Sequence, residues 1–199
     1  MNAQDHGKSG FIYLASASPR RSELLTQLGL NFEVVPADVD ESARPGEECT
    51  EYVQRIAGDK SRAAWSRLAG DGPAVLAADT AVVVDQEILG KPADEADAMR
   101  MLTLLSGRTH SVVTAVSVRN DSREIVDLSR STVRFRAISA AQINDYWQTG
   151  EPGGKAGAYA IQGLGAVFVE ELHGSYSGVM GLPLYETARI LDFFGYRLF

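Results

Sequence analysis

Cysteine is nearly missing from this 199-residue chain: Cys49 is the only one, so no intrachain disulfide can form, which suits a reducing compartment. Histidine is scarce too. His6, His110 and His173 are dispersed, without the spacing of a zinc site. No apolar run approaches a membrane span. The opening MNAQDHGKSG is polar and lacks the apolar core of a signal peptide, so residues 1–10 are expected to be a flexible segment and the cytoplasm the location. Lys and Arg number 19 against 26 Asp and Glu, a net charge of −7. That balance argues against a general nucleic-acid binder, whose affinity comes from massed basic residues. It leaves room for a small anion held by a locally positive site.

Several nucleotide and hydrolase signatures are absent on inspection. Gly150 to Lys155 is one residue short of a Walker A loop, and Ala156 replaces the required Ser or Thr. Gly163-Leu164-Gly165 runs into Ala-Val-Phe, not a dinucleotide fingerprint. In Gly174-Ser-Tyr-Ser-Gly178 the central residue is Tyr176, so no nucleophile elbow forms.

What is present is ordinary globular material: 45% hydrophobic and 23% charged residues, enough for a sizeable core. One domain over 11–199 is expected, without repeats or long linkers. A strand at Phe11 to Ala15 leads to a helix with Ser18 as N-cap and Pro19 as first residue. A short strand near Phe32 to Val35, a polar loop from Ala37, and a helix from Thr50 to about Leu68 follow. Two apolar strand segments, Ala74 to Ala78 and Ala81 to Val84, are interrupted or separated by Asp79-Thr80; Asp85-Gln86 turns the chain toward Ile88-Leu89. Asp94 caps a helix whose Ala98, Met101, Leu102 and Leu105 share one face. Asn120 to Ser122 separates two β-rich runs, a long hairpin. Ser139 and Gln142 spell a capping box. A glycine-rich stretch leads into a strand from Ala166 to Leu172, and Pro183 opens a last helix with Leu184, Ala188, Leu191 and Phe194 inward. Alternating elements plus a hairpin predict a mixed α/β fold with a partly antiparallel sheet.

A few residues exceed what folding needs. Ser16 to Arg21 places two arginines at a helix N-terminus, where they oppose the macrodipole unless an anion or acidic partner answers them. Solvated arginines on a capped helix are the plain alternative. Asp79, taken as lying at a strand end, suits a metal ligand or a base for water, or else only an Asx turn. Lys60 falls on the inner face of its helix and must reach water or an anion. Lys91 sits on a Gly-Lys-Pro turn. Asp38-Val39-Asp40-Glu41 offers hard oxygen ligands for Mg²⁺ or Mn²⁺, though most such runs are simply solvated.

Five segments, in order, bind these pieces together: LASASPRRSELL, DVDES, AADTAVVVDQEILGKP, LSGRTHSVVTAV and GKAGAYAIQGLGAVFVEELHGSYSGVMGLPL. They resemble the Maf family of nucleotide pyrophosphatases over nearly the whole chain. The resemblance implies an α/β fold akin to the inosine triphosphate pyrophosphatases, with a partly antiparallel central sheet flanked by helices and a cleft between two lobes. It implies hydrolysis of the α–β phosphoanhydride of a nucleoside triphosphate with a divalent cation, Mg or Mn. Asp79 matches the family's catalytic proton acceptor, and Arg20, Thr80 and Gln162 match positions tied to substrate choice. Glu41, Lys60 and Lys91 match polar positions of the phosphate and metal region, with Asp79 sharing the metal, while Ser18 and Arg21 resemble further phosphate contacts. The Ser-Pro-Arg-Arg start, the Asp-Thr pair and Gly-Ala-Tyr-Ala-Ile-Gln-Gly resemble the branch acting on dTTP and UTP. Ala160 stands where that branch more often has Gly, and Gly153-Gly154 replaces a more usual Met-Asp. The other branch acts on 7-methyl-GTP, which with an inosine-type triphosphate is the alternative substrate, and the family's naming history keeps a septum-linked interaction protein as the non-enzymatic alternative. Pairing into a homodimer is a further implication; neither nucleic acid nor membrane is an expected partner.

Overall fold

The computed structural model describes residues 10–68 and 72–198, so the polar segment expected to be flexible lies, apart from Gly10, outside the described residues. Strand β1 (Phe11–Leu14) pairs in parallel with β2 (Asn31–Val34) and with β3 (Val75–Val84). Helix α1 (Pro19–Gln27) crosses from β1 to β2, and α2 (Cys49–Arg67) from β2 to β3. Parallel neighbours need such crossovers, which is why the first part of the chain alternates strand and helix. Strand β4 (Glu87–Leu89) folds back antiparallel on β3 through Asp85 and Gln86, with φ of 49° and 69°. Positive φ at both central positions gives the turn the twist that a two-residue hairpin requires.

Helix α3 (Glu95–Leu105) is capped by the Asp94 carboxylate, which accepts from the Asp97 amide, and buries Ala98, Met101, Leu102 and Leu105 as their spacing predicts. Strands β5 (Thr109–Arg119) and β6 (Glu124–Phe135) are joined by a turn in which the Asn120 amide donates to the Arg123 carbonyl at 3.0 Å. Helix α4 (Ala140–Gln148) opens with the expected Ser139–Gln142 capping box. Strand β7 (Val169–His173) and helices α5 (Tyr176–Met180) and α6 (Leu184–Phe193) complete the chain. The sheet order is β2-β1-β3-β5-β6-β7, with β4 attached to β3, and β6 and β7 are antiparallel. This is the mixed, partly antiparallel α/β fold that the sequence implies. Among the described residues no helix is long and apolar enough to cross a membrane.

The chain divides into two compact units. The first comprises the described residues of Met1–Asp79, Ala115–Leu128 and Gly181–Phe199. Its core includes Ala15, Ala64, Val75 and Ala77, with Tyr13, Val35 and Trp65 packed around them. The small side chains let α2 approach β1 and β3 closely. The second comprises Thr80–Thr114 and Ser129–Met180. Aromatic rings dominate its centre: Phe135 meets His110 and Tyr159 edge-on at 4.9 and 4.8 Å, and Tyr146 meets Phe168 at 5.1 Å.

His110 lies inside that cluster, its Nε2 2.9 Å from the Tyr159 hydroxyl. Burial pushes its pKa down from 6.5 to about 4. A histidine lowered on folding contributes stability above its unfolded pKa and loses it as pH falls through the folded value. Stability should therefore drop between pH 6.5 and about 4, by on the order of 3 kcal/mol from this group. Chemical denaturation across that window should show the drop, and His110→Gln should flatten it; an equal slope in the variant rules the group out.

Three local expectations need correction. Strand β3 runs without interruption from Val75 to Val84, so Asp79 lies within the strand and not at its end. A carboxylate is tolerated there because a lysine from α2 meets it. The strand expected from Ala166 begins only at Val169, and Leu164–Phe168 forms a 3₁₀ turn, because the Leu164 and Gly165 amides bond to a carboxylate instead of a neighbouring strand. In α6 the buried residues are Thr187, Ile190 and Leu191, while Leu184, Ala188 and Phe194 are only half-buried. The helix face is rotated from the one read off the large apolar residues, since Thr187 turns inward with them.

Candidate active site

The first unit carries a charged cluster built on β3, α2 and the loop before α2. Asp79 is 6% exposed and Lys60 7%. Lys60 Nζ lies 2.7 Å from Asp79 Oδ1 and 2.7 Å from Glu41 Oε1, so one ammonium joins two carboxylates. Lys60 reaches this position because helical phase sets it beside the buried Ala57 and Ala64, the face that packs on the sheet. The sequence expectation that this lysine needs an anion is met by two.

Glu41 is brought in by a loop that sequence reasoning left unanchored. The Tyr52 hydroxyl donates to the Glu41 carbonyl at 3.0 Å, and Arg55 donates to the Ser42 carbonyl at 3.0 Å. Arg55 also grips Glu47 through a fork of two bonds, at 2.5 and 2.6 Å. Tyr52 and Arg55 are three residues apart on one helix face, a spacing that could have signalled a shared task. Asp40 takes the plainer role: its carboxylate accepts the Ser42 amide at 2.9 Å and shapes a turn.

Arg21 joins the cluster from α1. Its Nε donates to the Gly181 carbonyl at 2.7 Å and its Nη1 to the Ser16 hydroxyl oxygen at 3.1 Å. Ser16, 7% exposed, also accepts the Ser18 amide at 3.2 Å and so fixes the turn into the helix. Ser18 occupies the N-cap position as predicted, but its side chain makes no capping bond. Burial lowers the Arg21 pKa, with Asp79 and Glu41 pulling the other way. Arg20, half-buried beside it, is also lowered by burial. Both guanidiniums stay charged at neutral pH. A helix start without a side-chain cap, flanked by two arginines, is an anion-binding arrangement.

Asp79 is pulled in opposite directions. Burial pushes its pKa up, Lys60 and Arg21 push it down, and burial prevails. A carboxylate raised above its ordinary value is a better proton acceptor than a surface aspartate.

Thr80 follows Asp79 but belongs to the second unit, and alternation along the strand turns the two side chains to opposite faces. The Thr114 hydroxyl lies 2.8 Å from the Gly178 carbonyl and 3.0 Å from the Thr80 hydroxyl. Thr114 is the donor in both contacts, its proton shared between the Gly178 carbonyl and the Thr80 hydroxyl oxygen. Lys91 and Gln162 also lie in this unit, both exposed. Lys91 follows Gly90, whose carbonyl accepts the Gly157 amide at 3.1 Å. Gln162 rides a turn closed by the Gly163 amide and the Ala160 carbonyl at 3.2 Å. The structure thus gathers Asp79, Lys60, Glu41 and Arg21 into one cluster in the first unit, with Ser18 and Arg20 at the same helix start. Thr80, Lys91 and Gln162 lie on separate segments of the second. An open pocket lined by Glu87, Ala96, Met99, Arg100, Thr103 and Leu104 contains none of the predicted residues.

Known proteins resemble this sequence across almost its full length. The match to the family described as Maf-like protein spans residues 11–194. A protein of Chromobacterium violaceum named dTTP/UTP pyrophosphatase is 51% identical over 190 residues, covering 94% of this chain and 96% of the other. Its namesake in Methylococcus capsulatus is 54% identical over 184 residues, covering 92% and 91%, respectively. A third, from Saccharophagus degradans, is 51% identical over 189 residues, 94% of this chain and 90% of the other. With a family match across both units and relatives at half identity from end to end, the chain belongs to the Maf-like protein family.

Proposed function

We propose that the protein is a nucleoside triphosphate pyrophosphatase that hydrolyses dTTP and UTP to the monophosphate and pyrophosphate, with Asp79 as general base. The observation that carries the reading is the buried Asp79, paired with Lys60 at 2.7 Å and within the electrostatic reach of Arg21. Three relatives that share about half its residues bear the name of this activity.

A nucleoside triphosphate brings about four negative charges, so its hydrolysis depends on positioned positive groups more than on covalent chemistry. Arg20, Arg21 and the uncapped start of α1, with Ser18 at its N-cap, would receive phosphate oxygens. Lys60, and Lys91 on its turn, would add charge. The donor set of Glu41 and Asp79 fits a hard divalent cation that is completed by substrate phosphates, because both offer carboxylate oxygen. Mg²⁺ or Mn²⁺ so held would supply charge neutralisation and polarisation at the phosphoryl group.

In the chemical step a water oxygen forms a bond to the α-phosphorus, and its proton passes to the Asp79 carboxylate. The bond from that phosphorus to the bridging oxygen breaks, and the electron pair leaves with pyrophosphate. Base choice would fall to Gln162, whose amide offers a donor and an acceptor matching the imide edge of thymine or uracil. Thr80 would share in that choice. Modified pyrimidine triphosphates that keep that imide edge would also qualify as substrates.

The test is release of pyrophosphate and monophosphate from dTTP, UTP, CTP, 7-methyl-GTP and ITP, with Mg²⁺ or Mn²⁺ and with chelator. Turnover of dTTP and UTP that stops on chelation is the expected result. Activity confined to 7-methyl-GTP or ITP would keep the reaction and overturn the base. Silence on all five, from folded protein with either metal, would favour the interaction-protein alternative. Gln162→Ala should reduce the preference for dTTP over dCTP by about tenfold or more.

A further inference from the structure

The turn that carries Gln162 is gripped from below by a carboxylate with no assigned role. Glu151, shortly after α4, is half-buried and bonds three ways. Its Oε1 accepts the Tyr146 hydroxyl at 2.7 Å and the Gly165 amide at 2.9 Å, and its Oε2 accepts the Leu164 amide at 2.9 Å. An ionised carboxylate only accepts, so Tyr146 gives it the phenolic proton and keeps its oxygen free to receive the Ala160 amide at 3.1 Å. One carboxylate and one phenol thus hold the amides of residues 160, 164 and 165. Gln162 lies within the span they fix, exposed, beside a buried Ile161.

Two glycines make this grip possible. A Cβ on Gly163 would lie 2.3 Å from Glu151 Oε2, and one on Gly165 would lie 2.6 Å from the Tyr146 hydroxyl. Tyr146 itself is anchored from α4, 4% exposed and edge-on to Phe168 at 5.1 Å. Burial by itself would raise the Glu151 pKa, but the Gly165 amide, the Tyr146 hydroxyl and the Leu164 amide outweigh it and hold it below its ordinary value. The clamp is therefore an anion at neutral pH, and charge-assisted bonds of this kind are the strong ones.

Such rigidity has a use in recognition. A glutamine on a loose turn would lose much conformational freedom on meeting a base, whereas a turn already fixed by side chains has little left to lose. We infer that Glu151, acting with Tyr146, is the positioning residue that presents the Gln162 amide to the pyrimidine, so that base selectivity depends on this clamp as well as on Gln162. The inference rests on the reading of Gln162 as the residue that meets the base. Glu151 touches no substrate in this scheme; it acts through the turn.

Glu151→Gln, Glu151→Ala and Tyr146→Phe, each confirmed folded by circular dichroism, are compared with Gln162→Ala. The readouts are kcat and KM for dTTP and dCTP and the inhibition constant for pyrophosphate. Glu151→Ala should cut the dTTP-over-dCTP ratio by about tenfold, mostly through KM for dTTP. Pyrophosphate inhibition should stay unchanged, because a merely damaged protein would lose both. Glu151→Gln, which keeps one acceptor oxygen, should recover part of the ratio. If Glu151→Ala fails to fold, Glu151→Gln and Tyr146→Phe decide with smaller losses in the same direction. An unchanged ratio in the Glu151 and Tyr146 variants, beside a collapsed ratio in Gln162→Ala, overturns the clamp and keeps the base reader. An unchanged ratio in Gln162→Ala overturns the base reader, and the clamp falls with it.

Discussion

Asp79→Asn is expected to lower the rate of pyrophosphate release by about three orders of magnitude. Asn has the shape of Asp and retains an oxygen for Lys60, but it cannot take a proton from water. Loss of the base falls on kcat, and loss of one charged oxygen for the cation would raise KM as well. The same change should not weaken the fold. Because burial raises its pKa on folding, Asp79 stabilises the protein below its unfolded pKa, and that contribution is lost as pH rises through the folded value. At neutral pH the ionised side chain therefore opposes folding, and removing its charge costs little. Single-turnover assays and thermal melts at pH 7 check both halves. Retention of more than a tenth of the wild-type rate would show that Asp79 is not the base.

Lys60→Met should be the most damaging single change to the fold of the first unit. It removes the ammonium that lies 2.7 Å from both Asp79 and Glu41, and leaves Asp79 buried beside another carboxylate. Removing one partner of a buried ion pair costs about 3–5 kcal/mol, because the remaining charge stays out of water. Relief comes by protonation. Lys60 is the largest influence holding the Asp79 pKa down, so its loss sends that pKa higher still. A more strongly raised carboxylate stabilises below its unfolded pKa and loses that contribution as pH climbs through the folded value. The deficit relative to wild type should therefore be small near pH 5 and large near pH 8. Urea unfolding at both pH values measures it, and Asp79→Asn on the Lys60→Met background should restore part of it. Any remaining activity should need a higher pH than wild type, since the base then keeps its proton longer. A deficit independent of pH would mean that lost packing of the lysine stem, not the charge cluster, sets the cost.

Much of this was legible in the residues themselves. Local signals came through where the chemistry is local: Asp94 caps α3, Ser139 and Gln142 form their box, and Asp85-Gln86 makes the tight turn to β4. Each depends on neighbours within a few positions, so the sequence holds all of it. Lys60 was legible in part, because helical phase alone places it on the inner face. That it needs an anion follows from the cost of burying a lone ammonium. Which anions answer it does not follow, since Asp79 and Glu41 lie 19 residues away on either side.

The tertiary structure decided the rest, and the reason is distance along the chain. Asp79 reads as a strand end because carboxylates are rare inside buried strands, yet β3 continues through it once α2 supplies the compensating charge. Arg55 with Glu47 and Tyr52 with the Glu41 carbonyl settle where the Glu41 loop lies, and although the two helix residues share a face, the partners they meet in the loop cannot be read from their spacing. Nothing in the sequence singles out Glu151; only the fold brings the Leu164 and Gly165 amides to its oxygens. Residue types and short-range spacing determined which chemistry was on offer, and long-range packing chose which charges face one another, because a buried charge is stabilised by whatever the fold brings within hydrogen-bonding reach.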